Sequence, residues 1–124
     1  MKNVVTSKAP AAIGPYSQGI DIGNLVFTSG QLPLNMDTGE METEIKAATK
    51  ASLSNVKAIL AEAGLTMDNV IKTTVFISDM NNFAAMNEVY ATFFGETAPA
   101  RSCVEVARLP KDVLVEIEAV AVRK

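Results

Sequence analysis

The middle of the chain carries a hydrophobic pattern with the period of an α-helix. Between residues 44 and 64, apolar and small residues recur every three to four positions, as on one face of an amphipathic helix. The residues on this face are Ile45, Ala48, Ser52, Val56, Leu60 and Ala63, widened by Leu53 and Ile59. Gly64 can adopt the left-handed conformation that ends a helix, and Leu65 can fold back on the last turn. We therefore predict a helix from about Glu44 to Gly64.

A strand and a second helix are predicted to follow. The segment VIKTTVFI is rich in β-branched residues, which favours a central strand. Asp79 and Asn81 or Asn82 can then cap a helix. The predicted apolar face of that helix consists of Phe83, Met86, Tyr90 and Phe93.

The first third of the chain is typical of a meander of short strands. The segments NVVTS and GIDIGNLVFTSGQL are strand-like, and the Gly23-Asn24 pair lies between two apolar runs, where it suits a hairpin turn. The segment NMDTGEM contains the Asp and Gly residues that favour a second tight turn.

The last third of the chain returns to strands. The segments RSCVEVA and VLVEIEAVAV are separated by the turn-like RLPKD. The whole order is strands, helix, strand, helix, strands. It predicts a single α+β domain over residues 1–124, with two helices on one face of a mixed β-sheet.

The final strand indicates what the uncovered face of that sheet meets. Alternation places Val113, Val115, Ile117, Ala119 and Ala121 on one face, and Leu114, Glu116, Glu118, Val120 and Val122 on the other. The first set suits a core beneath the helices. The second set is apolar at both ends, which fits a subunit interface better than water. We therefore expect an oligomer.

Composition limits the class of protein. The chain has 124 residues, of which 48% are hydrophobic, enough to close a core without disulfides. No apolar run approaches the ~18 to 20 residues that span a bilayer, and the N-terminus lacks the apolar core of a secretory signal. The single Cys103 cannot form an internal disulfide. These features predict a soluble, cytoplasmic protein.

Charge and residue absences narrow the chemistry further. The chain has no His, which excludes an imidazole triad and the usual zinc site. A net charge of -3, with the basic residues scattered singly, makes nucleic acid an unexpected partner. The sequence contains no P-loop, no G-x-G-x-x-G and no metal-ligand spacing, so we expect no metal.

Arg101 is the first candidate for chemistry. Alternation puts it on one side of its strand with Cys103 and Glu105. If this strand neighbours the last one, Arg101 and a carboxylate of the last strand could line one cleft. Spacing alone favours an ordinary Arg-Glu surface ion pair. The position after Pro99, where the backbone is stiff, instead favours a guanidinium aimed at a ligand carboxylate.

Four further residues are weaker candidates. Tyr16 follows Gly14 and Pro15, which constrain the backbone, although a Tyr packed over the core in an ordinary turn explains the pattern equally well. Ser29 has no neighbouring base, whereas Gly30 would let a ligand approach the backbone. The Cys103 thiol lacks a His to deprotonate it, and such thiols are mostly small buried hydrophobes.

Several segments together resemble a known family. They are AAIGPYSQG, TSGQLP, LSNVKAILAEAG, IKTTVFISDM and PARSCVEVARLPKDVLVEIEAVAV. They are similar to the reactive intermediate deaminases, and closest to the subgroup of 2-iminobutanoate/2-iminopropanoate deaminases, a family also called endoribonuclease L-PSP. The resemblance implies a chorismate-mutase-like homotrimer with three clefts between subunits. It also implies hydrolysis of 2-imino acids to 2-keto acids and ammonia without metal or organic cofactor.

The resemblance also implies roles for individual residues. Arg101 matches the family's carboxylate-binding arginine, and Glu116 matches the carboxylate that positions water. Tyr16, Ser29 and Asn87 match pocket residues, and at Cys103 the family uses mainly the backbone.

One departure and two alternative functions accompany this interpretation. Relatives often have a longer loop with an aromatic residue before Pro99, whereas this chain has only Gly95–Ala98, which affects the expected substrate size. The first alternative is a non-catalytic module that binds keto or imino acids in the same cleft. The second, an RNA-cleaving translation inhibitor, is disfavoured by the acidic charge and the absence of His.

Overall fold

Six strands form one mixed sheet in the computed structural model, which describes residues 1–124. The chain has eight strands in all, which are β1 (Lys2–Val4), β2 (Gly19–Asp21), β3 (Leu25–Thr28), β4 (Leu34–Asn35), β5 (Glu40–Met41), β6 (Val70–Ile77), β7 (Ala100–Glu105) and β8 (Val115–Val122). The helices are α1 (Ile45–Glu62) and α2 (Phe83–Ala91). The sheet order is β1-β2-β3-β8-β6-β7, and β4 and β5 form a separate two-stranded sheet. All neighbours are antiparallel except β6 and β7, whose parallel connection contains α2. The predicted α+β fold is confirmed.

Helix α1 begins and ends close to where the pattern predicts. The Glu44 carboxylate accepts hydrogen bonds from the backbone N–H groups of Lys46 and Ala47, both at 3.0 Å. These bonds lower the pKa of Glu44 and satisfy two donors of the first turn. At the other end, Gly64 has φ of 80° and the Leu65 N–H donates to the Leu60 carbonyl at 2.9 Å.

The start of α2 differs from the prediction. Asp79 does not cap α2 but a short 3₁₀ turn over Met80–Asn82, where its carboxylate accepts from the Asn81 N–H at 2.9 Å. Asn82 precedes α2 without a side-chain capping bond. The 3₁₀ turn therefore leads directly into the helix, and its backbone takes over part of the role of a cap.

The core lies between the two helices and one face of the sheet. Its largest fully buried side chains include Val26, Leu53, Ile59, Leu60, Ile77, Met86 and Ile117. On β8, Val115, Ile117, Ala119 and Ala121 are buried, as the alternation predicts. Val113 is also buried but lies before the strand begins.

The opposite face of the sheet carries no helix and keeps apolar side chains at its surface. Phe27 pairs with Val120, and Val104 pairs with Phe76, so that these side chains share this face. Phe27 is 40% exposed and Val104 is 43% exposed. We call this surface the open face. Its apolar residues surround the two carboxylates of β8, as predicted from the strand pattern.

The turn before β8 contains two residues in an unusual backbone conformation. Lys111 has φ of 56° and Asp112 has φ of 55°. Left-handed conformations cost non-glycine residues on the order of 1–3 kcal/mol each. Asp112 is held by Arg108, whose Nε lies 2.8 Å from the carboxylate oxygen. This turn connects Leu109 to the strand that carries Glu116.

Candidate active site

Arg101 lies on β7 with its guanidinium packed against α2. Its Cζ is 4.8 Å from the ring centroid of Tyr90 and 5.4 Å from that of Phe83. Its Nη1 donates to the Asn87 Oδ1 at 2.7 Å. The molecule has three ion pairs, and none of them includes Arg101. The guanidinium therefore keeps most of its donors for a ligand, held by two rings and one amide.

Tyr90 is in turn fixed by the core. Its hydroxyl shares a 2.6 Å hydrogen bond with the Thr73 hydroxyl, and Thr73 is buried. Burial raises the pKa of the Tyr90 phenol, so it is neutral and presents a ring face to the cation. The hydrophobic pattern assigned Tyr90 and Phe83 only to the apolar face of α2. Their helical spacing from Asn87 was the available signal, because the three residues recur at i, i+4 and i+7.

Cys103 follows Arg101 on the same side of β7 and is half-buried. Burial raises the pKa of the thiol, an effect that the nearby Arg101 charge only partly opposes. The thiol is therefore protonated near neutral pH and is a poor nucleophile. Glu105, further along the strand, accepts a hydrogen bond from the Met80 N–H at 2.7 Å rather than pairing with Arg101.

Glu116 lies on the open face against the backbone of Gly30. A Cβ placed on Gly30 would lie 1.9 Å from the Glu116 Oε2, so any other residue there would force the carboxylate to move. Withdrawal from water raises the pKa of the Glu116 carboxyl, and the neighbouring Glu118 charge raises it further. Glu116 makes no ion pair within the chain. It is a carboxylate poised to accept a proton.

Tyr16 and Ser29 lie on the segments next to Gly30. Tyr16 is 51% exposed and lines, with Gly30, a cleft of about 350 Å³. The Ser29 hydroxyl donates to the Ser17 carbonyl, and its backbone N–H donates to the Gln18 carbonyl at 2.8 Å. The Ser29 oxygen can still accept a hydrogen bond from a ligand.

Gln18 anchors the loop that carries Tyr16, a role that the sequence pattern did not indicate. Its amide nitrogen donates to the carbonyls of Thr6, Ala9 and Pro10, and its Oε1 accepts from the Thr6 N–H at 2.8 Å. The side chain is buried. A single buried amide thus closes the loop. No local pattern of the sequence reveals this role, because the partners of Gln18 lie 8 to 12 residues away.

The predicted residues form two groups on opposite faces of the sheet. Arg101 pairs with Thr73, and Glu116 pairs with Phe76, three residues further along β6. Since side chains alternate along a strand, Arg101 and Glu116 point to opposite sides. Strand β6 also separates β7 from β8. The prediction that these two residues line one cleft through neighbouring strands is therefore wrong within one protomer.

We name the two groups by their central residues. The arginine half-site consists of Arg101, Asn87, Tyr90 and Phe83, and the glutamate half-site consists of Glu116, Gly30, Tyr16 and Ser29. No three His, Cys, Asp or Glu side chains are grouped so that they could hold a metal ion. Neither helix combines the length and apolar character needed to cross a membrane.

The fold and the half-sites define an α+β protein with a guanidinium free to bind an anion. The chain belongs to the endoribonuclease L-PSP family, whose model matches residues 6–123. It is 57% identical over 126 residues to the Escherichia coli (strain K12) protein named 2-iminobutanoate/2-iminopropanoate deaminase, covering 99% of this chain and 98% of the relative. The resemblance to reactive intermediate deaminases is thus confirmed.

Two further relatives extend the comparison. A Haemophilus influenzae protein, named RutC family protein, is 62% identical over 123 residues and covers 96% of this chain and 95% of its own length. The crystal structure of E. coli TdcF with bound serine superposes with a TM-score of 0.96 at 56% identity, covering 100% of both chains.

Proposed function

We propose that this protein hydrolyses reactive 2-imino acids, such as 2-iminobutanoate and 2-iminopropanoate, to 2-keto acids and ammonia. The observation that carries the proposal is the Arg101 guanidinium, which has no carboxylate partner in its own chain and is held in place by aromatic rings. The E. coli relative at 57% identity is named for this activity. We expect the activity in the cytoplasm.

Arg101 binds the substrate carboxylate in this proposal. A planar guanidinium matches a carboxylate with two parallel hydrogen bonds, and Asn87 orients it by occupying Nη1. The TdcF structure holds serine, an amino acid with a carboxylate of the same kind. Binding at Arg101 would leave the neighbouring imine carbon exposed to the glutamate half-site.

The complete site is a cleft between subunits of a chorismate-mutase-like homotrimer, with residues 1–124 acting as one domain. Two observations support this assembly. The half-sites point to opposite sides of one sheet, so a second copy has to supply the missing half. The open face also exposes Phe27 and Val104 on the same side of the sheet as Glu116, as an interface would. Each cleft then combines the arginine half-site of one subunit with the glutamate half-site of the next.

Glu116 acts as the base in this cleft. Its carboxylate accepts a proton from water as the water oxygen bonds to the iminium carbon. The protonated Glu116 then donates this proton to the amino group of the tetrahedral adduct. The C–N bond breaks, ammonia leaves, and the hydroxyl group loses its proton to give the 2-keto acid and ammonium. The carboxylate also stabilises the cationic imine.

The remaining groups position the reactants. Tyr16 and Ser29 lie beside Gly30, where a hydroxyl can accept from or donate to the water or the imine nitrogen. The half-buried Cys103 contributes its backbone, since its thiol stays protonated. The steps use only residues of this chain and one water.

The test follows disappearance of the imine. Threonine dehydratase supplies 2-iminobutanoate, semicarbazide traps what remains, and the protein should lower the yield of semicarbazone. Arg101→Ala should lower kcat/KM by about a hundredfold or more, because a charge-assisted bidentate contact is lost. Lys57→Ala is the control, since Lys57 is an exposed cation on α1 that belongs to no ion pair.

Two results would overturn the proposal. The first is a wild-type protein in whose presence the imine disappears only at the rate seen in buffer. The second is an Arg101→Ala variant as active as Lys57→Ala. Calorimetric binding of 2-ketobutanoate without any turnover would instead support the non-catalytic binding module.

A further inference from the structure

The cleft beside the glutamate half-site has a cation in its wall that the proposed reaction does not use. Lys111 lines this cleft together with Tyr16 and Gly30. Much of the remaining wall is apolar and includes Ile13 and Leu32. The cleft therefore joins an apolar surface to a single ammonium group, next to the backbone on which Glu116 rests.

Lys111 has no anionic partner in its own chain. The molecule's three ion pairs involve other residues, and the adjacent Asp112 is already paired with Arg108 at 2.8 Å. Lys111 is thus available to an anion in the cleft.

The backbone holds Lys111 in place at a conformational cost. Lys111 and Asp112 both have positive φ, a conformation that is uncommon outside glycine and clusters at functional sites. The Asp112 N–H donates to the Leu109 carbonyl at 3.0 Å, which closes the turn around Lys111. The Arg108–Asp112 pair braces the same turn.

The size of the cleft also exceeds what a short substrate needs. Its volume of about 350 Å³ lies within the range of pockets that enclose whole small ligands. The two-carbon side chain of 2-iminobutanoate has no group for the ammonium and fills little of this space. A longer side chain with methylene groups and a terminal carboxylate matches both the apolar wall and Lys111.

We infer that the cleft accepts 2-imino dicarboxylic acids and that Lys111 binds their distal carboxylate. The inference rests on the proposed hydrolysis. Arg101 binds the carboxylate next to the imine, and Lys111 binds the carboxylate at the end of the side chain. The reaction is unchanged: 2-iminoglutarate and water give 2-ketoglutarate and ammonium, with the proton passing through Glu116 as before.

The test compares two substrates in three variants. A glutamate oxidase supplies 2-iminoglutarate, threonine dehydratase supplies 2-iminobutanoate, and semicarbazide trapping measures kcat/KM for each. Wild-type protein should hydrolyse both. Lys111→Met should lower the ratio of the two kcat/KM values, dicarboxylate over monocarboxylate, by about tenfold, mainly through KM. Lys111→Arg should restore most of that ratio.

Lys57→Met is the matched control, because Lys57 is an exposed lysine on α1 that does not line this cleft. An unchanged ratio in Lys111→Met, or a wild type that hydrolyses 2-iminobutanoate but not 2-iminoglutarate, would overturn the inference alone. A wild type that hydrolyses neither imine would overturn the proposed function as well. Calorimetry with 2-ketoglutarate gives a second readout: Lys111→Met should weaken its binding about tenfold, and equal Kd values would contradict the inference.

Discussion

At the scale of single residues, the position of the Glu116 carboxylate depends on the absence of a side chain at Gly30. The carboxylate rests where a Cβ would otherwise be, and this contact withdraws it from water. A carboxylate in water has a low proton affinity, whereas a partly desolvated one accepts protons closer to neutral pH. Gly30 is therefore required for steric reasons, since its φ does not lie in the left-handed region.

Replacing Gly30 should displace Glu116, the proposed base. In Gly30→Ala the new methyl group would overlap the Glu116 Oε2, so the carboxylate has to move and kcat should fall by about a hundredfold. Gly95→Ala is the control, because the nearest atom to its Cβ is 3.9 Å away. The measurement is imine turnover in both variants, and equal kcat values would show that Glu116 does not depend on this contact.

Removing the charge of Glu116 should stabilise the folded protein near neutral pH. Its folded-state pKa is raised above the ordinary value of 4.5, so the folded state binds more protons than the unfolded state between these two values. Stability therefore falls as pH rises through this window, and the loss is complete above it. The Glu116→Gln variant has no ionising carboxyl at this position, so its stability should not fall for this reason.

Urea unfolding at pH 4 and pH 7 measures the effect. The advantage of Glu116→Gln over wild type should be larger at pH 7 than at pH 4, although turnover is lost. Glu40→Gln provides the control, because Glu40 is exposed and lies on the separate hairpin of β4 and β5. An advantage of Glu116→Gln that is equal at the two pH values would contradict the raised pKa.

At the scale of secondary structure elements, helix α2 organises the arginine half-site. One helical face presents Phe83, Asn87 and Tyr90 to the guanidinium of β7. The parallel pairing of β6 and β7 requires a crossover connection, and α2 is that connection. The half-site is therefore a direct product of the topology.

Two substitutions of Tyr90 should show that its hydroxyl contributes to stability and its ring to activity. Tyr90→Phe keeps the ring beneath Arg101 but leaves the buried Thr73 hydroxyl without its partner, which should cost about 1–3 kcal/mol. Tyr90→Leu removes the ring as well and should also lower kcat/KM. Chemical denaturation and imine turnover measure the two effects. A Tyr90→Phe variant with the activity loss of Tyr90→Leu would show that the hydroxyl, rather than the ring, supports Arg101.

Local patterns predicted most elements and missed their pairing. Strand β6 has the bounds that its β-branched run indicates, and α1 ends at Gly64 because glycine allows that backbone conformation. The order of strands in the sheet depends on contacts between distant residues, so the position of β6 between β7 and β8 could not be inferred. The 3₁₀ turn before α2 was missed because Asp79 and Asn82 are both good capping residues.

Site residues were predictable only in part for a similar reason. Arg101 and Glu116 were identified from their segments, but their opposite orientations follow from the register with β6. The buried Gln18 and the aromatic support of Arg101 act through tertiary contacts, which a hydropathy pattern does not encode.

At the scale of the whole molecule, the arrangement of half-sites predicts that subunits share active sites. Arg101→Ala and Glu116→Gln should each be inactive alone. If the protein forms the proposed trimer, unfolding the two variants together and refolding them gives mixed trimers. Some of their clefts then combine an intact Arg101 with an intact Glu116. With equal amounts, about a quarter of wild-type turnover should return.

The controls are each variant refolded by itself. Size-exclusion chromatography with light scattering checks that the mixed species is a trimer. A mixture that stays inactive although trimers form would mean that both residues act within one chain.

The opposite placement of the half-sites has a consequence for newly made chains. In a folded protomer that has not yet associated with other copies, Arg101 and Glu116 lie on opposite faces of a hydrogen-bonded sheet. No side-chain rotation can close that separation. Such a chain would be inactive, and catalysis would begin only when the concentration of the protein is high enough for the copies to associate.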